Sequence, residues 1–527
     1  MDRLIRRLRI PSPVRLTVLL VGIALVPILS CQRTPQPASP AADAQQRQSK
    51  SDVTTEEEIV AFCSGCHAMP KADSFPKSAW YDEVKRGFDF YHASNRKELI
   101  PPPVQSVVEY FRSRAPVALE LIAEQASPGP ANIRFRTQQI LRAPSDAKET
   151  NLPSVSFVAR WPMTGVTRQN ILFHDMANGS VALVDPNVTA ALPRILTRMN
   201  NPASATRCDL NGNGRPDLVV AELGSFKPED HNRGKVIWLP DVDANQPTQP
   251  GIVIASGLGR VADVQPADFD ADGDIDLVVA EFGWHKTGRI LLLRNEGSLD
   301  SPKFVPQVID SRPGAIHVPV VDLNKDGQPD FVALISQEFE VIEAFLNRGD
   351  GTFAKQTIYS ADDPAFGSSG IQIVDMDGDG DDDVLYTNGD MFDSFLIKPY
   401  YGVQWLENKG TYPYTLHRLT ALPGVLRALA GDLDHDGDID IVAAAFVPAS
   451  VRESDEAKQL DSVIWLEQSA PGRFVRHVIE KGSCIHAALE LSDFDGDGDL
   501  DIATGAFRDR STADDSAVTI WWNQLTQ

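Results

Sequence analysis

The sequence predicts a mainly β protein, a seven-bladed β-propeller with six acidic loops, preceded by a small all-α domain. Three observations carry this reading. A nine-residue loop rich in aspartate and glycine recurs six times, its starts 53 to 61 residues apart, and a fixed period of that size means one repeat architecture. Each loop runs into a short β-branched stretch, and a second apolar or aromatic stretch follows 20 to 30 residues on, which gives the short, evenly spaced strands of propeller blades. Ahead of the repeats, residues 54–120 carry helix-start signals and apolar residues at helical spacing.

The N-terminus stands outside that plan. Arg3, Arg6, Arg7, Arg9 and Arg15 form a basic region before residues 16–29, an apolar run broken only by Thr17, Gly22 and Pro27. The run is short for a bilayer span and has the layout of a signal peptide, residues 1–30. Ile28-Leu29-Ser30-Cys31 resembles the lipobox of bacterial lipoproteins. The resemblance implies that Cys31 is acylated and becomes the mature N-terminus, so the chain is expected to be exported and lipid-anchored, in the periplasm or at the cell surface. An ordinary signal peptide with an incidental cysteine is the alternative. Residues 31–53, rich in Pro, Ala and Gln, read as a flexible tether.

In the α domain, Thr54-Thr55-Glu56-Glu57-Glu58 starts a helix that leads to Cys63-Ser64-Gly65-Cys66-His67. Two thiols one turn apart can each form a thioether to a haem vinyl group, and the following imidazole is then held under the iron. A bare CxxC can also serve zinc or redox chemistry, but the export signal and the absence of a second CxxC favour one covalent c-type haem. A second helix starts near Trp80, and Pro101-Pro102-Pro103 precedes a third at Val104–Phe111. The segment resembles class I cytochrome c. Such proteins commonly supply a downstream methionine to the iron, and none occurs between Met69 and Met163. His92 as the second axial ligand and an open sixth position both stand. Residues 121–131 read as a linker.

The six loops place oxygen side chains at positions 1, 3, 5 and 9: Asp209, Asn211, Asn213 and Asp217; Asp268, Asp270, Asp272 and Asp276; Asp322, Asn324, Asp326 and Asp330; Asp375, Asp377, Asp379 and Asp383; Asp432, Asp434, Asp436 and Asp440; Asp493, Asp495, Asp497 and Asp501. With Gly at position 6 turning the chain, alternate side chains converge as hard ligands suited to Ca²⁺, up to six ions in all. An EF-hand is excluded, since no copy has Glu at position 12 and a β run follows the loop instead of a helix. The first loop, with two asparagines, should bind most weakly. The repeats of residues 132–527 resemble the FG-GAP/VCBS family, to which integrin-α propellers are related, and in that family these loop positions hold calcium.

A seventh blade without an acidic loop is expected upstream. Arg168–Met176 aligns with Arg215–Leu223, and Gly179–Val184 follows as its next strand. The last repeat ends without the outermost strand its siblings have. Residues 133–140 resemble that strand and are expected to pair with the final blade and close the ring.

The six loops hold 26 aspartates, and without them the net charge of −24 would be about +2. The acidity is thus confined to the loops, which argues against nucleic acid as partner. Of five cysteines, Cys208 and Cys484 remain after Cys31, Cys63 and Cys66 are assigned, and both are expected to be buried thiols. The segments entering the inner strands carry Arg260, His317, Arg427 and His486, and the second strands end in Asp175, Glu222 and Glu281. These groups either hydrogen-bond one another in the channel or form a pocket for an anionic ligand or a partner's side chains. No GxSxG, HExxH or dinucleotide fingerprint is present, so no catalytic residue is assigned and an electron carrier or binding protein is favoured over an enzyme. Three functions remain: electron transfer to a redox partner with the propeller as docking platform, a binding, adhesion or sensor module with an accessory haem, and an oxidoreductase with its active site on the propeller.

Overall fold

The computed structural model describes residues 54–94, 96–120, 133–143, 151–162, 167–243, 250–298, 301–392, 394–454, 457–509 and 514–525. The signal segment, Cys31, the tether, the linker 121–131 and residues 163–166 of the first blade's loop lie outside these residues.

Residues 54–120 contain three α-helices: α1 (Glu56–Cys63), α2 (Trp80–Ala93) and α3 (Val104–Arg114). A capping box opens α1: the Thr55 hydroxyl accepts the Glu58 amide at 3.2 Å, and the Glu58 carboxylate accepts the Thr55 amide at 2.9 Å. Pro103 precedes α3 and sets its entry angle. The three helices bury Ile59, Phe62, Trp80, Val84, Phe88, Val107, Val108 and Phe111 in one core. Trp80 stacks on Phe111 with ring centroids 4.0 Å apart.

The rest of the described chain forms seven antiparallel sheets, each running from an inner to an outer strand. Blade one begins at Val155–Pro162, two at Pro202–Cys208, three at Val261–Ala267, four at Ala315–His317, five at Ser368–Val374, six at Val425–Gly431 and seven at His486–Ser492. The six aspartate loops join first to second strands, so all lie on one face of the propeller. Second-to-third connections and crossings between blades lie on the other.

The second strands explain the continuous apolar runs of the sequence. Asp217–Glu222, Asp276–Glu281, Asp330–Ile335, Asp383–Asn388, Asp440–Ala445 and Asp501–Ala506 are buried at every position, because each sheet packs against a neighbour on both faces. The upstream blade forms as expected, with strands Gln169–Asp175 and Ser180–Val184. The ring is closed by Phe135–Leu141, which pairs antiparallel with Ser516–Asn523 of the last blade.

The helical segment meets the propeller on the face opposite the aspartate loops. The Lys71 ammonium donates to the Ala361 carbonyl at 2.9 Å, the Ser74 hydroxyl hydrogen-bonds the Asp363 carboxylate, and the Lys398 ammonium lies 4.5 Å from the Phe75 ring centroid. Phe90 packs on His285 of blade three at 4.4 Å. One cysteine departs from expectation. Cys484 is fully buried, but Cys208 ends an inner strand and is only half-buried, packed against one edge of the core between blades.

Candidate functional site

Each aspartate loop is built on its own backbone. Gly at position 6 has φ between 81° and 103° in all six copies (Gly214, Gly273, Gly327, Gly380, Gly437 and Gly498). A Cβ there would meet nothing within 4 Å, so the backbone angle and not space demands glycine. The amide of this glycine donates to the position-1 carboxylate, at 2.7 Å to Asp209, 3.0 Å to Asp268, 2.8 Å to Asp322, 2.9 Å to Asp375, 3.2 Å to Asp432 and 3.0 Å to Asp493. The turn thereby fixes the position-1 carboxylate over the loop.

Four loops gather carboxylates closely enough to hold one cation. Ligand atoms of Asp268, Asp270 and Asp276, of Asp375, Asp377 and Asp383, of Asp432, Asp434 and Asp440, and of Asp493, Asp495 and Asp497 lie within 4.8 Å of one another. Asp270 Oδ1 and Asp432 Oδ1 are buried with no hydrogen-bond partner, which leaves acceptors for a cation to satisfy. Burial first, then neighbouring carboxylates, push Asp276 up to about 6 and Asp440 and Asp501 up to about 7. Bare carboxylates at this spacing oppose one another, and a divalent cation removes that conflict. The donor set fits Ca²⁺. In the first loop, the Asn213 amide donates to Asp241 at 2.8 Å, in keeping with weaker binding there.

The position-9 aspartates have a second role that the sequence reading missed. Each accepts two backbone amides, one at position 2 of its own loop and one at or just past the end of the third strand. Asp276, for example, takes Phe269 N at 3.1 Å and Asn295 N at 2.7 Å. The signal lay in their place at the start of a fully buried strand, where an acid needs fixed partners.

In the helical segment, Cys63 is the last residue of α1 and half-buried, and burial pushes its thiol up to about 11. Cys66 is exposed, and the Arg96 guanidinium donates to its sulfur at 2.8 Å. The His67 ring Nδ1 lies 2.7 Å from the Ala68 carbonyl. A carbonyl only accepts, so Nδ1 carries the proton and Nε2 keeps its lone pair for a metal. Two thiols and a ligand-ready imidazole within five residues fit covalent c-type haem attachment. Leu99 presses on Gly65, where a Cβ would meet it at 2.6 Å, and Arg96 also donates to the Gly65 carbonyl at 3.3 Å. Ile100, in the same stretch, is 90% exposed. His92 sits exposed near the end of α2, and Met69 packs against the helical core.

The four channel-mouth cations occupy different surroundings. His486 is buried, its Nε2 2.6 Å from Glu480 and its Nδ1 2.8 Å from the Thr504 hydroxyl, and it packs on Trp521. His317 and Arg427 share the channel wall with Asp263. Burial, then Arg427, pushes His317 down to about 4, and Arg427 donates to the Ile371 carbonyl at 2.9 Å. Arg260 lies over the Phe282 ring at 5.4 Å. The strand-end acids accept backbone amides, Asp175 from Ser154 N at 3.2 Å, Glu222 from Asn200 N at 2.5 Å and Glu281 from Gly259 N at 2.6 Å, and Glu222 and Glu281 also pair with Lys235 at 3.1 Å and Arg289 at 2.7 Å.

Residues 209–279, 268–333 and 322–386 match the model of the FG-GAP-like repeat, so the chain carries FG-GAP repeats, here within a seven-bladed β-propeller. Among solved structures, that of the Dos1 propeller is 8% identical, with a TM-score of 0.41 over 70% of this chain and 77% of that one. No curated protein matches.

Proposed function

We propose that this chain is an exported, lipid-anchored haem protein whose FG-GAP propeller is a calcium-stiffened platform for a partner. Cys31 carries the lipid, and Cys63 and Cys66 hold one haem through thioethers. His67 Nε2 would hold the iron, its ring oriented by the Nδ1–H bond to the Ala68 carbonyl. When bound, the haem supplies one-electron chemistry, which makes electron transfer to a redox partner the favoured role. His92, exposed on α2, would be the candidate for a second protein ligand to the iron, which could otherwise stay open.

The observation that carries the reading is the His67–Ala68 bond beside two thiols one turn apart. The contacts of residues 71–75 with blade five support a helical segment fixed on the propeller, so that a protein docked on that face would lie beside the haem. A binding or sensor role for the same platform is favoured by the exposed aromatic groups on that face, Phe226 and Phe392 among them. Ca²⁺ would lie on the far face, where its role is to stiffen the blades.

The test is export of the full chain in a bacterium that makes c-type cytochromes, followed by the pyridine haemochrome spectrum of denatured protein. Haem that stays with the polypeptide, and is lost in Cys63→Ser/Cys66→Ser, is the expected result. Protein recovered without covalent haem under conditions that load a control cytochrome would overturn it. Membrane fractionation of Cys31→Ser tests the anchor separately: the variant should be soluble, and retention in membranes at high salt would refute the lipid.

A further inference from the structure

The mouth of the central channel, on the face opposite the aspartate loops, is aromatic. Phe282, Phe446 and Phe507 are the first residues past the second strands of blades three, six and seven. Phe507 packs on Phe446 at 5.1 Å, Phe392 on Phe446 at 5.4 Å, and Phe226 on Phe507 at 6.0 Å. The loops of blades two and five thus meet blades six and seven through these rings, with Met391 of blade five also packed against Val447 and Cys484. Phe226 and Phe392 are nevertheless 42% and 44% exposed, so one side of the cluster is open.

Arg260 belongs to the same mouth. Its guanidinium lies over Phe282, and it is within electrostatic reach of His231, whose Nε2 is 2.9 Å from the hydroxyl of Ser225, the neighbour of Phe226. Arg260 is 8% exposed, and its Nε is buried with no hydrogen-bond partner. The carboxylate that acts on it, Glu229, is paired with Arg233. A buried guanidinium without a hydrogen-bonded anion is costly unless something completes it. Its bidentate fork matches a carboxylate.

We propose that this mouth binds a small organic carboxylate, its acid group on Arg260 and its apolar or aromatic body against Phe226, Phe392 and Phe507. The complementarity is of two kinds, an anion for an unfinished cation and an apolar body for open rings. His317, Arg427 and His486 take no part, since each is engaged elsewhere in the channel wall or between blades. The inference rests on the propeller as a binding platform and not on the haem.

Titration calorimetry of the calcium-loaded full chain with 3-phenylpropionate and with its amide provides the test. The acid should bind and the amide should bind about tenfold more weakly or worse, the loss that follows when a charge-assisted pair is removed. Arg260→Ala should remove the preference for the acid, and Arg260→Lys should restore part of it. Acid and amide binding alike to the unaltered chain, or no heat from either at millimolar concentration, would overturn the site whether or not any variant folds. A Soret band that shifts on adding the acid would place the ligand at the haem, and would also overturn it. A partner protein captured by the chain without carboxylate binding would leave the platform standing and sink the pocket.

Discussion

Asp501 and Asn523 are tied across two strands of the last blade: the Asp501 carboxylate accepts the Asn523 amide at 2.8 Å with one oxygen and the Phe494 amide at 3.0 Å with the other. The same double acceptance recurs in Asp217, Asp276, Asp330, Asp383 and Asp440. Each of these residues is at most 1% exposed. Position 9 therefore pins the aspartate loop to the third strand with or without a cation. In this last loop the carboxylates that gather where a cation would sit are Asp493, Asp495 and Asp497, whereas Asp276, Asp383 and Asp440 also join the clusters of their own loops.

The two roles separate by substitution. Asp501→Asn keeps one acceptor oxygen and replaces the other with a donor facing an amide, which should cost about 1–3 kcal/mol even in EDTA. Asp495→Asn should leave the EDTA-treated protein as stable as the parent or slightly more so, since it removes a like charge. It should, however, lose the calcium increment of that loop. Calorimetric melting of both variants with EDTA and with Ca²⁺ decides. Equal losses in EDTA would mean that position 9 has no structural role of its own.

Calcium itself should stabilise the propeller by mass action. One site at 100 times its dissociation constant adds about 2.7 kcal/mol, and six loops of unequal quality should give graded and not single-step gains. Exhaustive chelation should lower the melting temperature of the β domain while the helical far-UV signal of residues 54–120 persists. A melting profile indifferent to EDTA would remove the calcium sites, including the tight clusters at Asp268, Asp375, Asp432 and Asp493.

Much of this plan was legible in the sequence because its causes are local or periodic. Six blades followed from the spacing of the loops, the seventh blade and the closing strand 133–140 from their likeness to strands of the other repeats, and the capping box at Thr55 and Glu58 from a short-range rule. The channel-mouth residues were expected from sequence near inner-strand starts, but their partners were not legible. His486 turns to Glu480 of the preceding blade and Arg260 to Phe282, choices set by packing between blades that no single repeat encodes. The same holds for Trp405, whose indole donates to Asp383 at 2.9 Å and whose ring stacks on His417 at 4.7 Å. In sequence it showed only as an apolar strand residue.

A pH dependence follows from Glu340. It is 3% exposed and accepts the Ser368 amide at 2.9 Å, and burial pushes its carboxyl from 4.5 up to about 8. A raised folded-state value means that the group's contribution is fully present below about pH 4.5. It drains away as pH rises from there and is gone above about pH 8, where the unfolded chain gains by ionising freely. Glu340→Gln does not ionise and can still accept the Ser368 amide. Its stability relative to the parent should rise steadily between pH 5 and 8 and then level off. A difference in melting temperature that stays constant across that range would show that Glu340 is not held protonated by the fold.

Ring closure is the last relation to test. The closing strand Phe135–Leu141 is far in sequence from its partner, yet the Trp522 indole donates to the Gln138 side chain at 3.0 Å and the Gln524 amide to the Arg134 carbonyl at 2.8 Å. Ile140 is 2% exposed and packs in one core with Val158, Val518 and Ile520, so it joins the first and last blades. Ile358 occupies an outer strand in the middle of the ring and is fully buried. If the N-terminal strand is a true fastening, Ile140→Ala and Ile358→Ala should both cost about 2–5 kcal/mol. Both should also lower the same cooperative transition, because opening the ring at its seam exposes the flanking blades. If the strand were instead a dispensable edge addition, Ile140→Ala would leave the melting curve in place while Ile358→Ala shifted it. That contrast, read by calorimetry on two single variants, would reject closure by this strand.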